Sequence, residues 1–144
     1  MQVGTYRYRK ERRFPLPPEA IWPLVADSAR LTIEEQLRAT PEDGQQHVFR
    51  GLALAYLGHK AEAIKEGERA VALLPISRDA YFAVYIQHQL VRIYLLVGEP
   101  EKALDQLEPL LKIPYLLSSG WLRIDPTFAP LKGNPRFERL VAGK

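Results

Sequence analysis

Two matching corners constrain this chain more than any other feature of its sequence. Gly58-His59-Lys60 and Gly98-Glu99-Pro100 each join two stretches of helical apolar spacing. Val48, Leu52, Ala55 and Tyr56 lead into the first corner, and Ala63, Ile64, Ala70, Val71 and Leu74 carry on from it to Pro75. Tyr81, Tyr85, Leu90, Tyr94 and Val97 lead into the second, and Ala103, Leu104, Leu107 and Leu111 follow it to Pro114. Glycine closes a helix because it accepts a positive φ, and Pro100 suits the first turn of the next. Ala63 and Ala103 each stand five residues after their glycine, where two antiparallel helices approach closely and only a small side chain fits. The pattern predicts two helical hairpins, Gln45–Pro75 and Tyr85–Pro114, each with an apolar face that stacking must bury.

Around this centre the 144 residues divide into three regions: 1–18, 19–114 and 115–144. Residues 1–18 read as an extended basic segment. Tyr6 and Tyr8 alternate with Arg7 and Arg9 at strand periodicity, and Pro15, Pro17 and Pro18 forbid a helix. Arg7, Arg9, Lys10, Arg12 and Arg13 against Glu11 give residues 1–14 a charge of +4, so the rest of the chain, out of a total of +3, carries −1. A strand without a neighbour must pair with another copy, lie on the helices or stay disordered. Residues 19–40 predict one helix or two short ones, with Asp27 or Ser28 as a cap and Glu34 paired to Arg38 at i, i+4. Ser77 or Asp79 is expected to cap the helix that runs to Gly98. Past Pro114, a short apolar turn precedes a break at Asp125-Pro126. Asn134-Pro135 then opens a last helix with Phe137, Leu140 and Val141 on one face, and with Trp121 and Phe128 this segment is expected to cap the array.

The spacing resembles the tetratricopeptide repeat (TPR), in which a bulky residue, Leu-Gly, an aromatic, Ala, a large apolar residue, Ala and Pro recur at fixed offsets. In the first unit Gly51, Leu54, Gly58, Ala63, Ala70 and Pro75 fall on those offsets, with His47 in place of the bulky residue and Gly67 in place of the large apolar one. In the second, Leu90, Tyr94, Gly98, Ala103 and Leu107 match; Val91 and Leu110 replace small residues and the proline comes one residue early. Ala29, Leu37 and Pro41 suggest the second helix of a degenerate preceding repeat. Gly58 and Gly98 are 40 residues apart, whereas the TPR period is about 34; the extra residues are expected to lengthen the helices around Ile76 to Phe82. Residues 43–142, with Leu52 to Gly67, Trp121 to Pro126 and Asn134 to Phe137, are similar to the C-terminal TPR regions of bacterial signalling proteins such as serine/threonine kinases and adenylate-cyclase-like regulators. There the segment is a non-catalytic appendage. A second, shorter resemblance, Phe14 to Arg30, is to the first strand and helix of START-like (helix-grip) domains. The curved antiparallel sheet and long C-terminal helix of that fold are not legible in the residues after Arg30.

The fold expected is therefore all-α: a TPR-like helical-hairpin repeat, a fragment of an α-α superhelix, behind an extended basic N-terminal segment. The resemblance implies a protein–protein interaction or scaffold module whose first helices line a groove. By register the groove residues are Gln45, Val48, Leu52, Ala55 and Tyr56, then Tyr85, His88, Arg92, Leu95 and Leu96. Arg92 would hold an acidic group of the partner segment, and Tyr56 and Tyr85 would give apolar contact with a polar tip. The alternatives are self-association, through the N-terminal strand or repeat stacking, and small-molecule binding in an enclosed cavity beside Trp22.

Other chemistry finds little footing in these residues. With no cysteine, a thiolate metal site and a disulfide framework are both ruled out. His47, His59 and His88 lack ligand spacing, so no metal or other cofactor is expected, and His47 and His88 read as solvated or groove-lining. No phosphate-cradling glycine loop is present. Glu34/Glu35, Glu42/Asp43 and Glu99/Glu101 lie at helix ends or on exposed faces, where acidic residues complement the helix dipole without catalysis. Ser118-Ser119-Gly120 lacks the strand context of a nucleophile elbow. The body carries no basic stripe, which argues against nucleic acid. No apolar run is long enough for a membrane span, and no signal-peptide stretch is seen, so the expected location is cytoplasmic.

Overall fold

The computed structural model describes residues 18–143, with side chains from Trp22 onward. The basic segment, its Tyr6–Arg9 strand and any pairing through it lie outside the described residues. The described residues form helices joined by turns and short irregular connections, with no strand among them, in the order α1 (Pro18–Ala39), α2 (Gly44–Tyr56), α3 (Lys60–Leu73), α4 (Phe82–Leu96), α5 (Pro100–Leu110), α6 (Ser119–Ile124), a 3-10 helix (Pro126–Leu131) and α7 (Pro135–Val141).

The two glycine corners are built alike. Gly58 and Gly98 take φ of 81° and 76°, a region that side chains with a Cβ avoid. At each corner the glycine N–H reaches back three residues and the next N–H reaches back five: His59 to the Leu54 carbonyl at 2.9 Å, Glu99 to that of Tyr94 at 2.8 Å. This double closure satisfies carbonyls that the helix end leaves free. α3 then folds back on α2, and α5 on α4. Ala63 and Ala103 are fully buried in these contacts. Both first helices also start alike: one Asp43 carboxylate oxygen accepts from the backbone of Gln45 and Gln46, and one of Asp79 from Tyr81 and Phe82. Such a bond satisfies helix-start donors that have no partner within the helix.

Several local expectations are corrected. The extra residues of the second unit do not lengthen the helices around Ile76 to Phe82. Residues 74–81 form turns closed by bonds from Arg78 and Asp79 to the Pro75 carbonyl, and Tyr81 is in this connection. Of the two alternatives for residues 19–40, one helix is found, α1; Pro23, its sixth residue, gives up one backbone bond, and Ala26 is buried just beyond it. Asp27 pairs with Arg30 rather than capping. Glu34 turns to Arg30 at 2.9 Å and to Arg50 of α2 at 3.3 Å, not to Arg38. Packing α1 on α2 brings Arg50 to the side of α1 that carries residues 30 and 34. His47 is not solvated. It is buried between Glu66 of α3, 2.6 Å from Nδ1, and the Pro41 carbonyl, 2.8 Å from Nε2.

α4 is the centre of the molecule and carries two apolar clusters. Ile86 and Ile93 pack with Val48, Leu54, Ala63 and Ala70 of the first hairpin. Leu90, Val91, Tyr94 and Leu95 pack with α5 and with Leu117, Leu122, Phe128 and Phe137 of the C-terminal segment. From outside, that segment is held by Arg136 of α7 and by Asn134 just before it, which donates to Glu101 at 2.7 Å. Arg136 donates to Glu108, Glu101 and Asp105 of α5 at 3.0, 2.8 and 2.9 Å, and this, with Asn134, holds the Glu101 carboxyl below its usual range.

A candidate protein-interaction face

α2 and α4 lie side by side and present one surface stripe each. On α2 the stripe is Gln45, Phe49, Leu52 and Tyr56, at intervals of four, three and four. On α4 it is Tyr85, Arg92 and Leu96, at seven and four. At about 100° per residue each set stays within a narrow face. The stripes meet where the Phe49 and Tyr85 rings pack edge to face, 6.4 Å between centroids. Trp22 of α1 stacks on Tyr56 at 6.1 Å and extends the surface.

Three depressions border this face. An apolar trough of about 350 Å³ runs between α1 and α2, with Trp22, Val25, Ala29 and Ile33 on one wall and Phe49, Leu52 and Tyr56 on the other. A second, of about 420 Å³, lies between Gln45, Tyr81, Phe82 and Tyr85 on one side and Pro114, Tyr115 and Leu116 on the other. The third, about 200 Å³, is walled by Tyr56, Arg92, Leu95 and Leu96 and by Pro126, Thr127 and Pro130 of the C-terminal segment. Tyr56 is common to the first and third, and the Phe49–Tyr85 contact links the first to the second. The trough beside Trp22 is open rather than enclosed, and Trp22 is itself exposed.

Of the residues assigned by register, Gln45, Leu52, Tyr56, Tyr85, Arg92 and Leu96 reach this face. Val48, Ala55 and His88 are corrected: all three are buried, whereas Leu95, mostly buried as well, keeps an edge on the third depression. Val48, His88 and Leu95 sit about 60–80° round their helices from the stripe, on the flank that faces the next element along the chain. Val48 is covered by Ile86 and Ile93, and Leu95 by the C-terminal segment. His88 lies against Tyr115, whose hydroxyl is 3.2 Å from Nδ1, and stacks on Phe128. Phe49 and the walls from Tyr115, Pro126 and Pro130 were not legible as site residues, although the spacing of Phe49 from Gln45 and Tyr56 is visible in the sequence.

Arg92 is the charged residue of the face. It donates to Gln89 Oε1 at 2.9 Å, and no carboxylate pairs with it among the described residues. A guanidinium so placed keeps donors free for an incoming acid. Among the described residues no three His, Asp or Glu gather as a metal site, and no helix is long and apolar enough to cross a membrane. Comparison with protein-family models, curated proteins and solved structures finds no match to this chain.

Proposed function

We propose that this chain is a TPR-like, non-catalytic module whose α2/α4 face binds a segment of another protein. The carrying observation is the continuous aromatic face from Trp22 through Tyr56 and Phe49 to Tyr85, with Arg92 free beside it. Exposed apolar surface gathered in one place, rimmed by polar groups, is the usual mark of a contact surface. Aromatics and arginine are also the residues that most often dominate binding energy. The partner segment carries an acidic group for Arg92 and apolar side chains for the depressions on either side. The setting is bacterial signalling or regulation, as the C-terminal resemblance implies.

Peptides selected from a displayed library on the intact chain should bind the Arg92→Ala variant at least about fivefold more weakly, the roughly 1 kcal/mol of a charged hydrogen bond. They should also lose affinity for Tyr85→Ala. Equal binding to both variants would remove this face as the site.

Self-association by stacking is a second reading, favoured by α1. Leu24 and Leu31 are exposed, two turns apart, on the side of α1 opposite the Trp22–Ile33 row. Light scattering of the full chain should then give a dimer mass that reverts to monomer in Leu24→Glu/Leu31→Glu. A monomer in both removes the idea.

A further inference from the structure

The C-terminal segment that walls the second and third depressions rests on α4 through a buried histidine. His88 is 8% exposed, and its Nε2 is buried with no partner. Phe128 of the 3-10 helix stacks on the ring at 6.5 Å and 7° between planes, and the Tyr115 ring meets it edge-on at 5.8 Å. We infer that His88 makes the docking of residues 115–131 on α4 sensitive to pH: the segment is held while the ring is neutral and opens when the ring is protonated.

The reason is the surroundings. An imidazolium here would carry a proton on each nitrogen, one without an acceptor and the other facing a hydroxyl that must turn to accept it. The charged and titratable groups that face the ring are Arg92 on its own helix, Tyr115 from the connection after α5, and Asp125 between α6 and the 3-10 helix. Tyr85, one turn back on α4, stands near Tyr115. The 3-10 helix presents Phe128, while α2, α3 and α5 present no charge that acts on the ring among the described residues. Burial first, then Arg92, push the pKa of His88 down to about 4, against the opposing pull of Asp125. Once the segment lifts, the ring meets water and returns to about 6.5.

A depressed histidine therefore favours the closed form above about pH 6.5, and that advantage falls as pH drops towards 4, up to about 300-fold in the closing equilibrium. Tyr115, Leu116, Pro126 and Pro130 would leave the binding face together, so acid would dismantle two of its three depressions. That consequence rests on the proposed function, whereas the opening itself does not.

Amide exchange of the full chain tests the opening without any ligand. After correction for intrinsic rates, protection of residues 115–131 should fall roughly 20-fold from pH 7 to pH 5, more than that of α3. His88→Phe, which keeps the stack on Phe128 and cannot titrate, should abolish the difference. The same fall in that variant, or no fall in the natural chain, overturns the proposal. Should His88→Phe not fold, an NMR titration of the natural chain decides: a His88 ring half-protonated well below pH 6 upholds the proposal, and one near 6.5 overturns it.

Discussion

Replacing Gly67 by leucine is expected to destabilise the chain by about 2–3 kcal/mol, although it would bring the sequence closer to the repeat pattern it resembles. That pattern places a large apolar residue at this position of the second helix. Here α4 has taken the space. A Cβ on Gly67 would lie 2.8 Å from Leu90 Cδ1 and 2.9 Å from Ile93 Cδ1. The Ile93 methyl also sits 2.8 Å from where a Cβ on Gly51 would be, so it fills a slot opened by two glycines on facing helices. Behind Gly51 stand backbone atoms, the Ala63 carbonyl at 3.0 Å and the Gly67 nitrogen at 3.2 Å, which give no room for retreat. Leucine in a helix gains roughly 0.8 kcal/mol over glycine from propensity. Overpacking a dense core costs about 1–3 kcal/mol and sometimes more, and here a whole isobutyl group must displace Ile93, which is itself fully buried. The second effect wins. Urea unfolding of Gly67→Leu beside the natural chain measures it. A variant equally stable or more stable would mean that α4 does not seat Ile93 between α2 and α3.

The same position shows where sequence reasoning reached and where it stopped. The corners at Gly58 and Gly98, the small residues at 63 and 103 and the cap at Asp79 were legible because each depends on a few neighbouring residues and on backbone geometry. What was not legible depends on packing between distant elements. Gly67 and Ile93 make sense only as a pair, 26 residues apart. The register taken from the repeat pattern put Val48 and His88 on the open face, but the flank they occupy is covered by the next element after each hairpin. For α2 that is α4, and for α4 it is the C-terminal segment. The added residues near Ile76 went into turns because Pro75 lacks a backbone N–H and Asp79 bonds the N–H groups after it in place of another helical turn. Phe49 carried a legible signal, since it continues the Gln45–Tyr56 face at helical spacing; the family register drew attention to its neighbour instead.

His47→Leu should cost about 3 kcal/mol, the upper end of what leaving a buried acceptor without its partner costs. The sequence marked His47 as a departure from the repeat pattern, a polar residue where a bulky one belongs. In the structure it fills that place as part of a chain of polar contacts binding three helices. Glu34 of α1 meets Arg50 of α2, Arg50 meets Glu66 of α3 at 3.0 Å, and Glu66 meets His47 of α2 at 2.6 Å. Nε2 then faces the Pro41 carbonyl before α2. The His47 and Glu66 side chains are 6% and 8% exposed, at the floor of a cleft they share with Pro41 and Arg50, so water replaces a lost partner only in part. Leucine would fill the volume and leave one Glu66 oxygen facing an apolar group, with the Pro41 carbonyl losing its donor. Arg50 still reaches the other oxygen, which keeps the loss from rising further. Removing both partners, His47→Leu with Glu66→Leu, takes the stranded charge away, and Arg50 keeps Glu34 at the half-exposed edge. The double variant should therefore be more stable than His47→Leu alone. A double-mutant cycle by urea unfolding measures the coupling. Single losses that simply add would show that these two side chains do not act as a pair.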